Sequence, residues 1–119
     1  MNDERLTPRE RIKKGREFAA LYRGGYRARG AHFSLIYRFS DLPYSRLAVV
    51  VSKKVGNAVE RNRVKRWTRE VFRRNKDALA RPTDVLFLAR PGVAALGWAA
   101  FRSDLLRALK ELGTAKKAS

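Results

Sequence analysis

The 119-residue chain has no cysteine and a single histidine, His32. The first absence excludes disulfides and thiolate metal ligation, and with the second it leaves no ligand cluster of the zinc type. It also fits a reducing, cytoplasmic setting. Acids are scarce: eleven Asp and Glu stand against 28 Lys and Arg, a formal net charge of +17. They are scattered, mostly beside Arg or Lys, and no close pair offers the carboxylates that general acid-base or two-metal chemistry needs. His32, isolated on an expected strand, reads as structural. No apolar run approaches the roughly 20 residues of a membrane span. The N-terminus, MNDERLTPRE, is charged from its third residue, so neither insertion nor export is signalled. A phosphate-cradling glycine loop is missing too, since Gly24-Gly25 followed by Tyr26 has the composition of a helix stop.

What is present is a globular composition, 45% apolar, in a length that suits one domain with one core. Residues 1–119 are read as that domain, with 1–6 and 114–119 frayed. The positive charge therefore sits on a folded body, and a folded body this basic calls for a polyanion. In TPRE, Thr7 is positioned to cap a turn with Pro8 in its first position and Glu10 three residues after the cap. Phe18, Leu21 and Tyr22 recur at helical spacing, and Gly24-Gly25 stops that helix after Arg23. Residues 31–39 alternate, with Phe33, Leu35 and Tyr37 on one side and Ser34, Ile36 and Arg38 on a wetter one. Residues 47–51 are apolar on both faces, which predicts a central strand. Residues 85–89 form the next strand, and Trp98, Phe101, Leu105, Leu109 and Leu112 mark a last amphipathic helix closed by Gly113. The expected fold class is α+β, a small mixed sheet packed by helices in the order αββαβα.

The segment KKVGNAVERNRVKRWTREVFRRNK, residues 53–76, holds ten Lys or Arg and two acids. Asn57 followed by Glu60 is a capping-box pattern, so a helix starts at Ala58. At the helical step, Val64, Trp67, Val71 and Phe72 share the side that packs on the sheet. Asn62, Lys65, Arg66, Arg69, Arg73 and Lys76 line up roughly opposite. A charged stripe of mixed sign is usually just a solvated face. This one is almost purely cationic, and like charges at i and i+4 destabilise a helix, so phosphates are the expected counter-charge. Arg outnumbers Lys, which favours forked contacts. Glu70, four residues from Arg66 and from Arg74, relieves only part of the repulsion. No helix-turn-helix pair, finger or dimerising heptad presents this helix to a DNA groove, which points to RNA. Phe18, Tyr22, Phe33 and Tyr37 are candidate stacking surfaces for unpaired bases, or else ordinary core.

SKKVGNAVERNRVKRWTREVF resembles the signature of the bacterial ribonuclease P protein family, including Arg61, Asn62 and Arg63. KKGREFAALYRGG is similar to that family's first helix, TDVLFLARPG to its last strand, and the helix from Trp98 has its counterpart. The chain departs from the pattern at Gly15, where a better cap is usual, and at Ile36, where an aromatic is common. The resemblance implies a left-handed β-α-β crossover through the basic helix, where the general rule gives a right-handed one. It implies a protein cofactor of an endoribonuclease holoenzyme. In that holoenzyme a catalytic RNA subunit holds Mg²⁺ and removes the 5′ leader of precursor tRNA, and the protein alone is inactive. No membrane and no obligate protein partner are implied. By position, Arg61, Asn62, Arg66 and Arg69 fall on the leader side, with Phe18 and Tyr22 as the aromatic part of a cleft between the basic helix and the sheet. Lys53, Lys54, Arg63, Lys65 and Arg73 complete the RNA-binding set, with Arg63 on a second side of the helix near Glu70 and Arg74. The alternatives are a structural, ribosomal-type RNA-binding protein and a protein-only nuclease.

Overall fold

The computed structural model describes residues 8–13 and 15–114. Helix α1 spans Arg16–Gly24, α2 Ala58–Arg74 and α3 Trp98–Thr114; the strands are β1 Tyr26–Arg29, β2 Phe33–Phe39, β3 Arg46–Val50 and β4 Thr83–Ala89. They form one mixed sheet in the order β1-β2-β4-β3, with β2 antiparallel to both neighbours and β3 parallel to β4. The α+β class stands, and the order gains a strand to become αβββαβα. That strand, YRAR, has no apolar run to announce it. It is a short edge strand whose arginines deter further pairing.

A second correction concerns β3, which lies at the sheet edge rather than its centre; β4 is central. Two-sided apolarity reported cover on both faces, which helices supply even at an edge. The backbone N–H of Ile12 donates to the carbonyl of Leu47 at 2.9 Å and closes part of that edge. Pro8–Glu10 forms the expected turn as a 3-10 segment; its cap at Thr7 lies outside the described residues.

The two faces of the sheet are covered differently. On one, Phe33, Leu35, Tyr37, Leu47, Val85 and Phe87 meet Val64, Val71 and Phe72 of α2 and Phe101, Leu105, Leu109 and Leu112 of α3. Phe33 stacks on Phe87 at 5.1 Å, and Phe101 tilts against Phe87 at 5.9 Å. On the other, Ile36, Ala48 and Leu86 meet only Ile12 and Leu21, with Phe18, Val50 and Leu88 half-buried at the margin. The expected wetter side of β2 is thus dry at its centre: Ile36 is 0% exposed beneath α1. A Cβ on Gly25 would sit 2.7 Å from Ile36 Cγ2 and 2.8 Å from the Leu21 carbonyl oxygen, so glycine is what lets α1 end against β2.

A buried ionic network completes this second face. Arg46 donates from Nε and Nη2 to the two carboxylate oxygens of Asp84 at 3.0 and 2.9 Å, and from Nη1 to Glu17 of α1 at 3.0 Å. The Asp84 bonds first, and Glu17 with them, outweigh burial and hold the guanidinium pKa above its ordinary value. Arg38 Nε adds a fourth charge 3.6 Å from Asp84.

Candidate nucleic-acid interface

Helix α2 begins as expected. The Asn57 side chain accepts from the Glu60 N–H at 2.8 Å and the Glu60 carboxylate accepts from the Asn57 N–H at 3.0 Å, a closed capping box. A Cβ on Gly56 would lie 2.2 Å from Glu60 Oε1, so Gly56 leaves the room in which that carboxylate turns back. Val64, Val71 and Phe72 are buried against the sheet with Trp67 packed beside them, and the opposite side carries the cations.

Asn62, Lys65, Arg66, Arg69 and Arg73 line one open hollow of about 400 Å³ together with Glu70 and Arg11. Arg11 was not singled out in the sequence. It precedes the residue that bonds β3, and only that bridge carries it from the first turn to the side of α2. Five of the seven lining residues are cationic and one is acidic, so the hollow is an anion-attracting surface.

Not every cation of the stripe is equally available. Arg73 donates from Nε and Nη2 to Glu70 at 3.0 and 2.8 Å, and Arg74 Nε bonds the same carboxylate. Burial works to raise the Glu70 pKa, but the bonds from Arg74 and Arg73 prevail and hold it below the ordinary carboxylate value. Of the two partners expected for Glu70, Arg74 is found; Arg73 rather than Arg66 is the other. Lys76 Nζ lies 2.7 Å from Glu10, fastening the end of α2 to the first turn. Arg61 donates from Nε to the Gly56 carbonyl at 3.1 Å and braces the loop before the helix. Arg66 and Arg69 are exposed and make no ion pair among the described residues. Lys53 and Lys54 are exposed on the 3-10 segment Lys53–Val55, and Arg63 is half-buried beside the stripe.

The aromatic candidates divide. Phe33 and Tyr37 are buried core, because their side of β2 is the one α3 covers. Phe18 is half-buried at the edge of the small cluster, and Tyr22 is 46% exposed. Both belong to the α1 side of the sheet, whereas α2 packs on the other. The space between α2 and the sheet is filled by Val64, Val71 and Phe72. Basic stripe and aromatic pair thus belong to opposite sides of the sheet, and at the β3 edge Arg11 joins the α2 side while Ile12 joins the α1 side. Arg27 of β1 was also unanticipated: its guanidinium lies 5.4 Å from the Tyr22 ring centroid and donates to the Tyr22 carbonyl at 3.1 Å. The four-residue alternation in YRAR is too short a signal to have placed it.

Among the described residues no group of three or more His, Cys, Asp or Glu is placed to hold a metal, and Asp84, the most buried acid, is committed to Arg46.

Comparison with known proteins identifies the family. The profile of the Ribonuclease P family matches residues 6–113. The ribonuclease P protein component of Syntrophus aciditrophicus is 39% identical over 94 residues, 79% of each chain. That of Geobacillus thermodenitrificans is 37% identical over 114 residues, 94% of this chain and 93% of the other. The RNase P protein of Thermotoga maritima superposes with a TM-score of 0.78 at 33% identity, covering 86% of this chain and 96% of that one. Sequence match over nearly the whole length and a shared fold lead to one assignment: the chain belongs to the ribonuclease P proteins, the protein component of the enzyme that matures tRNA 5′ ends.

Proposed function

We propose that this chain, working as one domain in the bacterial cytoplasm, supplies ribonuclease P with phosphate neutralisation and a grip on the 5′ leader. The hydrolysis itself and its Mg²⁺ belong to the RNA subunit. The observation that carries this reading is the hollow along α2, where Arg11, Lys65, Arg66, Arg69 and Arg73 face a single carboxylate. A surface of that composition is stabilised by polyanion binding, and guanidinium groups make forked contacts with phosphates. Asn62 lines it too, and Lys53, Lys54, Arg61 and Arg63 extend it towards the start of the helix.

The aromatic pair receives a separate task. The Tyr22 ring, exposed beside Arg27, offers a π-face and a cation to one unpaired base, and Phe18 offers its half-buried edge. On this arrangement RNA meets two sides of the molecule: phosphates on the α2 stripe and leader bases on the α1 face, joined around the β3 edge past Arg11. Holding the leader raises affinity for precursor over mature tRNA, since specificity is that difference.

The test combines pure protein with a bacterial ribonuclease P RNA at low Mg²⁺ and follows 5′-leader removal. Cleavage is expected when both are present, with none from the protein alone. Specific cleavage by RNA-free protein overturns the division of labour, and an absence of stimulation overturns the cofactor role.

A further inference from the structure

A second hollow lies on the other side of Arg66. It has a volume of about 560 Å³ and is lined by Arg66, Trp67, Glu70, Arg74, Trp98 and Arg102. Arg66 and Glu70 also line the cationic hollow, so they form the ridge between the two. The second hollow has what the first lacks, an aromatic wall. Trp98, at the start of α3, is 39% exposed although it is among the largest apolar side chains. Its ring is held from behind: Trp67 lies 6.2 Å away centroid to centroid and itself packs on the buried ring of Phe101 at 5.3 Å.

A propped, exposed indole is a rigid platform, and three arginines stand around it. Arg74 is occupied by Glu70, while Arg66 and Arg102 make no ion pair among the described residues. An indole face flanked by unpaired guanidinium groups suits a flat, electron-rich ring attached to an anion, which describes a nucleotide. An aliphatic or acidic peptide would use the arginines but not the ring face.

We infer that this hollow binds one unpaired nucleotide of an RNA, its base stacked on Trp98 and its phosphate met by Arg66 and Arg102. The strand that lies along the α2 stripe crosses the Arg66 ridge and turns one base onto the tryptophan. The inference rests on α2 being an RNA-binding helix and is independent of the leader contacts at Phe18 and Tyr22. Within a duplex the base faces are stacked on their neighbours and only the end pairs show one, so the site favours single-stranded segments.

The chain has two tryptophans, both in this hollow, so its intrinsic fluorescence reports on the site. In the Trp67→Phe variant, where Trp98 is the sole emitter, a single-stranded RNA decamer should quench emission saturably and a duplex of equal length should not. Trp98→Leu should weaken decamer binding about tenfold, as loss of one stacked base implies, without changing its salt dependence. Trp98→Phe should retain most of the affinity. Arg102→Ala should lower the log-log salt slope by about 0.7, the share of one phosphate on a single strand. Thermal melts of each variant provide the folding control. RNA binding without quenching, with Trp98→Leu unchanged, overturns this site alone and would leave the hollow to a protein partner. Failure to bind RNA at all overturns the reading of α2 as well.

Discussion

The two faces of the sheet use different physics. Under α2 and α3 the contact is made by rings and long aliphatic chains, all buried, with Phe33, Phe87 and Phe101 in mutual contact. Such a face is stable against small changes of angle, because dispersion and the hydrophobic effect have little direction. Under α1 the apolar cluster is small, and a forked Arg46–Asp84 pair reaching Glu17 does the rest. Forked ion pairs are directional. The side that carries Tyr22 and Arg27 is therefore held by geometry, and the other side by bulk.

The strongest way to break that contrast is to remove Asp84. Asp84→Ala leaves the Arg46 guanidinium largely buried without its carboxylate, and a broken buried pair costs about 3–5 kcal/mol. Denaturant unfolding should show a loss of that size, with hydrogen exchange rising first in α1. A loss below about 1 kcal/mol would mean that the apolar cluster alone positions α1, contrary to the scale expected for a buried pair.

Tyr22→Leu sharpens the comparison from the binding side. One stacked base contributes about 1–3 kcal/mol, so precursor affinity of the holoenzyme should fall about tenfold or more while mature tRNA is bound as before. Stability should change by less than about 0.5 kcal/mol, as for a surface substitution. Equal losses for precursor and mature tRNA would remove Tyr22 from the leader site. Phe18→Ala is expected to mix both effects, because the ring is also part of the small cluster.

The smallest effect concerns pH. Glu70 is held below its ordinary pKa by Arg74 and Arg73, so the folded state binds its proton less readily than the unfolded one. Its contribution is complete above the unfolded value, about 4.3, and is lost as pH falls through the lower folded value. Acid titration of stability should therefore be slightly shallower in Glu70→Gln than in the parent. An identical acid limb would show that the two arginines do not hold that carboxylate in solution.

Much of the molecule was legible because its signals are local. A capping box needs three residues of separation, and Asn57 and Glu60 state it outright. The packing side and the charged side of α2 follow from the helical period, which is why Arg66 and Arg69 were found exposed and Val64 buried. Composition alone called for a polyanion, since eleven acids leave a net charge of +17 on 28 basic residues however they are paired. Sequence also supplied the motif around Arg61, Asn62 and Arg63 that carried the family resemblance.

Tertiary structure decided what depends on contacts between distant residues. Apolar residues on both sides of β3 could not say whether its neighbours were two strands or one, because helices bury a strand as well as strands do. YRAR became a strand only because β2 lay beside it, pairing Arg27 with Ile36. Phe33 and Phe18 look alike in sequence; one is core and the other marginal because α3 covers one face fully and α1 covers the other in part. Arg11 joins the cations of α2, and Trp98 comes to stand beside Trp67, only through chain crossings between segments dozens of residues apart. A period along the chain fixes which way a side chain points from its own element, and packing fixes what it meets there.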